Sequence, residues 1–448
     1  MFRRTQKGAA PRVASRAVKA AGLGGAAVLL LSLTACSAGG GGGSSDGPVT
    51  ITFLTDNAPA SSTSGQALIK AFEKDNPKIT VKLDSRPQGT DGDNLIKTRL
   101  STGEMADVFT YNSGSLFQAL HPDNTLADLS DQSWVKDLTP EFKTTVSTSK
   151  ATYGAPFGTS FGGAVMYNKA VYKKLGLDVP QDWATFMSNS DKIKAAGITP
   201  IIQTYGDTWT SQLFVLGDFA NVTSQQEDWA SQYTKNKERY VDQPAFASFQ
   251  HQQEVYDKGY LNKDFASATQ VAGLKMLATG EGAQYPMLTN AIATIQQNNP
   301  DDVNDIGVFA LPAQNASDTK MTIWEPGGAY IPKTTEGGKL AAAKKFVAFM
   351  NSSAGCEIQN TTIAPSGPYA TSACTLPSDV APVITDLQKY VDDKKVALAL
   401  EFLSPIKGPN LEKITVQVGS GISSAATGAK LYDADVKQQA QQLGEPGW

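Results

Sequence analysis

The sequence predicts an α/β fold of two lobes, each built on a mostly parallel sheet covered by helices, with the chain passing between the lobes more than once. Three observations predict it. Short apolar runs alternate with helix-length patterns in two separate stretches of the chain. Between them, residues 155–160 hold Pro156, Gly158 and two small polar residues, the composition of a crossing segment. Farther on, residues 327–331 read as a strand returning to the first lobe, because residues 341–350 follow as one more covering helix.

Taken in order, residues 49–54 read as a strand, 65–75 as a helix, 79–83 as a strand, 94–101 as a helix and 106–109 as a strand. Ligand groups on such a sheet belong in the loops beyond strand ends, which here are Thr55-Asp56-Asn57 and Tyr111-Asn112-Ser113. The second stretch continues with a strand at 164–167, a helix at 183–196 and a strand at 198–203, where Pro200 limits how early pairing can begin. Helical patterns cover 244–258 and 268–277, and 283–285 and 306–310 supply further strands. A late return to the second lobe is expected near 398–405. The expected division is therefore 48–157 with 327–397 for the amino-terminal lobe, and 158–326 with 398–448 for the carboxy-terminal lobe. No internal repeat or heptad array is present.

Residues 1–35 read as a processing signal. Arg3, Arg4, Lys7, Arg12, Arg16 and Lys19 precede an apolar run over 21–33 that is short for a spanning helix. It ends in Leu33-Thr34-Ala35-Cys36, which resembles a bacterial lipobox and implies that Cys36 becomes a lipid-modified amino terminus. The segment 36–47, with Gly39 to Gly43 and two serines, is then a flexible tether to the membrane. Cleavage after residue 35 removes six basic residues and no acidic one, taking the formal charge from −4 to −10. An acidic chain lacks the basic footprint of a nucleic-acid binder. Cys356 and Cys374 are the two remaining cysteines. An oxidising location and the even count favour a disulfide between them, with two separate buried thiols as the alternative.

Catalytic chemistry finds little support. The chain has only His121 and His251, no cysteine cluster and no glycine pattern of a phosphate loop, so neither a cofactor nor a metal is expected. His121 fits an exposed turn and His251 the solvent face of a helix. The carboxylates are numerous, but the linear sequence nominates no pair for glycoside hydrolysis. The rings and amides suit carbohydrate recognition better, since a sugar has apolar C–H faces and a hydroxyl rim. Tyr111, Phe157, Trp209, Tyr285, Trp324 and Phe402 fall near loops, strand ends or crossings, with core packing the competing role for each. Asp56, Asn57, Asn112, Asp207 and Asn290 are the polar candidates, with turn formation and helix capping the competing roles. Arg86 suits an acidic group, although Pro87 and the polar stretch after it equally fit an exposed turn, which leaves a phosphorylated ligand a minor reading.

The chain resembles the family 1 extracellular solute-binding proteins. The likeness rests on Tyr153-Gly154-Ala155-Pro156, Tyr167-Asn168-Lys169, Tyr172-Lys173-Lys174-Leu175-Gly176-Leu177 and Lys194-Ala195-Ala196-Gly197-Ile198-Thr199-Pro200. It continues through Gly280-Glu281-Gly282-Ala283 and Gly327-Gly328-Ala329-Tyr330-Ile331-Pro332-Lys333. The resemblance implies a type II-like periplasmic-binding fold with hinge strands and discontinuous lobes. It implies a sugar captured by hinge closure and handed to the permease subunits of an ABC importer, with an ATPase acting through them. By position it makes Tyr111 a cleft aromatic with Asn112 and Ser113 beside it, Trp209 an aromatic presented by the second lobe, Trp324 a ring just before the return strand, and Gly328, on that strand, a further ligand-binding candidate. One departure stands out: Leu288-Thr289-Asn290 occupies the place of the family's Gly-x-Trp platform, which argues against a maltodextrin. A secreted hydrolase and a lipid-anchored sugar sensor or adhesion module are the alternatives, and a monomer is the default state.

Overall fold

The computed structural model describes residues 47–87 and 89–448. The expected signal, the Cys36 attachment point and the glycine tether lie outside the described residues.

Eleven strands build two sheets among the described residues. They are β1 (Val49–Asp56), β2 (Ile79–Arg86), β3 (Val108–Tyr111), β4 (Gly154–Phe157), β5 (Phe161–Asn168), β6 (Thr199–Ile201), β7 (Gly282–Leu288), β8 (Ile306–Phe309), β9 (Met321–Trp324), β10 (Gly327–Tyr330) and β11 (Val396–Leu398). The first sheet runs β2-β1-β3-β10-β4; the second runs β11-β9-β5-β7-β6, with β8 paired along β5. In the first, β1 is parallel to β2 and β3, while β10 is antiparallel to β3 and β4. In the second, β5 runs antiparallel to β7, β8 and β9, and only β6 with β7 and β11 with β9 are parallel. The sheets are therefore mixed rather than mostly parallel. The antiparallel pairs are those of β5 and β10, the two strands by which the chain enters each lobe from the other.

Burial explains why these segments are strands. β1 is buried at Ile51, Phe53 and Leu54, and β5 is buried at every residue after Phe161, as a strand covered on both faces requires. The helix Gly337–Met350 closes the first lobe by setting Phe346 edge-on against Phe53 and Phe72, with centroids 5.3 and 5.1 Å apart. In the second lobe the helix Ala425–Leu443 carries Tyr432 into a cluster with Trp229, Tyr240 and Phe249.

The chain returns to the second lobe earlier than residue 398. The helix Pro382–Asp392 buries Val383, Ile384 and Leu387 in the second lobe's core, Asp386 pairs with Lys169 at 3.1 Å, and β11 extends the second sheet. The crossing lies within 363–381, which holds neither a helix nor a strand and so left no periodic mark in the sequence. His251 is also not on a solvent face. It is 5 % exposed and stacked on Trp183 at 3.7 Å, and burial holds its imidazole down at about 3. His121 is exposed, as expected, in a left-handed turn conformation. Cys356 and Cys374 are joined by a disulfide, with Cα atoms 5.6 Å apart.

Candidate ligand-binding site

The strand directions bring one set of termini together. β1, β3 and β4 end where β10 begins, and β7 and β9 end where β5 begins, so the loops beyond these ends face each other across a cleft. A cavity of about 360 Å³ lies there, toward the lower end of the roughly 300–1,000 Å³ usual for small-ligand sites. A second hollow of about 460 Å³ adjoins it at Ile363, but no aromatic side chain lines it.

The first lobe contributes the ends of β1, β2 and β3. Asp56 lines the cavity while accepting from the Ala58 amide at 2.9 Å and from Ser61 Oγ at 3.0 Å. Tyr111 is 2 % exposed, and burial, then the nearby Asp93 charge, push its phenol well above the ordinary value, so it stays a neutral ring. Arg86 sits over that ring at 5.7 Å and lines the cavity; it is buried, not part of an exposed turn. Asn112 and Ser113 follow, with the Ser113 hydroxyl donating to the Pro326 carbonyl at 2.8 Å.

The second lobe supplies the flat surface. Trp324 stacks on Phe161 with 6° between planes and 6.2 Å between centroids, and its indole N–H donates to Glu401 Oε1 at 2.8 Å. Lys407 holds the other oxygen of Glu401 at 3.4 Å. Gly163 makes this possible, because a Cβ there would lie 2.2 Å from the indole. Phe402 lies beside Glu401 and reaches the first lobe at Gly114, where φ is +71° and a Cβ would come within 2.6 Å of the Phe402 ring. Asn290 is exposed and lines the cavity, in the place where the resemblance predicted a missing ring.

The crossings form the floor. Ser160 donates to Glu325 Oε2 at 2.9 Å, the Thr159 and Ser366 hydroxyls bond at 2.9 Å, and Gly158 N–H donates to Gln359 at 3.0 Å. Glu325 is 8 % exposed, and burial raises its carboxyl to about 7.

Of the residues nominated from sequence, Asp56, Tyr111, Asn112, Ser113, Phe157, Asn290, Trp324 and Phe402 line this cavity. Five lie elsewhere. Asn57 is exposed off the cavity wall, and its amide donates to the Arg86 carbonyl. Asp207 caps the helix Gln270–Thr279 by accepting from the Gln270 amide at 2.6 Å. Trp209 packs against the second lobe's core, and Tyr285 is fully buried there with its hydroxyl on Thr204. Gly328 is buried in register with Tyr111 and leaves room for the Tyr330 ring. Sequence reasoning overlooked Phe161, Glu325 and Glu401. Their signal was position: Phe161 opens the strand after the first crossing, Glu325 precedes Pro326 at the second, and Glu401 adjoins a nominated ring.

The family model for bacterial extracellular solute-binding proteins matches residues 58–355. A multiple sugar-binding protein of Streptococcus mutans is 25 % identical over 307 residues, 67 % of this chain and 71 % of that protein. The binding protein MsmE of Bacillus subtilis, solved in an open conformation, superposes with a TM-score of 0.75 at 17 % identity over 89 % of this chain and 99 % of its own. RafE in complex with raffinose gives 0.72 at 21 % identity over 88 % and 100 %.

Proposed function

The chain belongs to the bacterial extracellular solute-binding proteins, and from that premise we propose that it is the sugar receptor of an ABC importer, held at the outer face of the membrane through Cys36. It is a binding protein and not an enzyme. The observation that carries the sugar reading is the cavity wall: a Trp324–Phe161 stack and Phe402 on one side, Tyr111 on the other, and amide, hydroxyl and carboxylate groups between them. Rings match the C–H faces of a pyranose while the polar groups fix hydroxyl positions. The names of the sugar-binding relatives point the same way, toward an oligosaccharide. In this reading the lobes are 48–157 with the segment from 327 up to the third crossing, and 158–326 with the segment from Pro382 onward. Ligand contacts from both lobes favour the closed population, which the permease subunits accept from a monomeric receptor.

Calorimetric titration of the full chain against neutral and acidic mono- to tetrasaccharides, with product analysis, tests this. Saturable binding of unchanged sugar, weakened about tenfold by Phe402→Ala, is the expected result. A folded chain that binds none of them overturns the sugar reading, and sugar breakdown would revive the hydrolase.

A further inference from the structure

Four carboxylates stand in or beside the cavity, and three of the four are visibly compensated. Asp56 is held by the Ala58 amide and Ser61 at the start of the helix Pro59–Asp75, where the helix dipole offsets a negative charge. Glu401 is bound by Trp324 and Lys407. Glu325 receives the Ser160 hydroxyl, and its burial holds much of it in the neutral form near neutral pH. The fourth, Asp93, lies near Tyr111 rather than on the cavity wall and makes no ion pair with Arg86.

Arg86 has no such partner. It is 7 % exposed, its Nη1 donates to the Pro87 carbonyl at 3.0 Å, its Nε has no hydrogen-bond acceptor, and among the described residues no carboxylate pairs with it. A guanidinium is always charged, and burying one without a counter-ion is costly. Its position at the end of β2, over Tyr111 and on the cavity wall, places that unpaired charge on the ligand side. We propose that the cavity selects a glycan bearing a carboxylate, a uronic acid residue, which Arg86 recognises as its missing counter-ion. The planar fork of the guanidinium suits a carboxylate, which it can hold through paired, charge-assisted hydrogen bonds.

This inference rests on the sugar-binding reading, and the experiment separates the two. The full chain is titrated with paired probes, each a neutral di- to tetrasaccharide and its counterpart with one residue oxidised at C6 to the uronate. The expected result is about tenfold or more preference for the acidic member. Arg86→Gln should collapse that ratio to about one, while Arg86→Lys, which keeps the charge, retains part of it. Thermal unfolding of each variant confirms that it folds. Neutral and acidic members bound equally by the unaltered chain would overturn the inference and leave the sugar reading standing, as would a preference that survives Arg86→Gln for the role of Arg86. Failure to bind either kind overturns both readings.

Discussion

Glu325 gives the cavity floor a pH-dependent cost that can be measured apart from ligand. Burial raises its carboxyl from 4.5 to about 7, with the more distant Glu141 charge adding to the rise and the Ser160 hydrogen bond opposing it. A raised folded value means the native state holds the proton more tightly than the unfolded chain does. The favourable contribution is therefore complete below about pH 4.5 and is lost as pH rises through about 7. The span of about 2.5 units is worth about 3 kcal/mol at about 1.4 kcal/mol per unit. Glu325→Gln keeps the acceptor for Ser160 and removes the titration. Urea unfolding of both proteins at about pH 4 and about pH 8 should show the variant gaining on the parent by about 3 kcal/mol at the higher pH. Asp218, also buried and raised to about 7, titrates in both proteins and cancels in the difference. If the stability difference between the two proteins moves by less than about 1 kcal/mol between these pH values, the buried-carboxyl argument is refuted.

Two further outcomes test the packing under Trp324 and the disulfide. Gly163→Ala places a methyl 2.2 Å from the Trp324 indole, which Phe161 and Glu401 hold in place, so a loss of about 1–3 kcal/mol and an altered near-ultraviolet tryptophan signal are expected; an unchanged unfolding midpoint would sink the account of Gly163. Cys374→Ser opens a loop spanning 18 positions and should cost about 3 kcal/mol, read as a lower urea midpoint that reductant reproduces in the parent. A midpoint that neither change lowers would contradict the loop-entropy argument.

How far the sequence reached depends on what each residue's role looks like locally. Strand and helix patterns are local, so β1, β2 and the helix Trp183–Ala195 were legible within a few residues. Loops at strand ends were legible for the same reason, which is why Asp56 and Tyr111 to Ser113 were placed on the cavity. Trp209 and Tyr285 show where that logic stops. Both are rings near strand or turn ends, yet whether such a ring faces a cleft or a core is decided by the sheet above it, a long-range fact. Arg86 stayed undecided between an acidic-group contact and an exposed turn, and only the pairing of β2 beside β1 buries it next to Tyr111. The third crossing was illegible because a segment without periodicity looks the same whether it stays in one lobe or changes lobes.

Closure and affinity in this architecture are one free energy. A ligand can shift the balance of open and closed forms only by binding one of them more tightly. The Trp324 indole is fixed on Phe161, Gly163 and Glu401, all of the second lobe, so the platform itself needs no rearrangement when a sugar docks. What can change is the distance from that platform to Tyr111 and Arg86, and Phe402 against Gly114 limits how short it becomes. On the proposed closing mechanism, the contacts placed to resist or allow the movement are the crossing hydrogen bonds Ser160–Glu325, Thr159–Ser366 and Gly158–Gln359, of which Ser160 and Gln359 line no part of the cavity. It follows that substitutions at Ser160 or Gln359 alter apparent affinity by changing the cost of closing, with no contact to the ligand, while substitutions at Trp324 or Phe402 alter what closing gains.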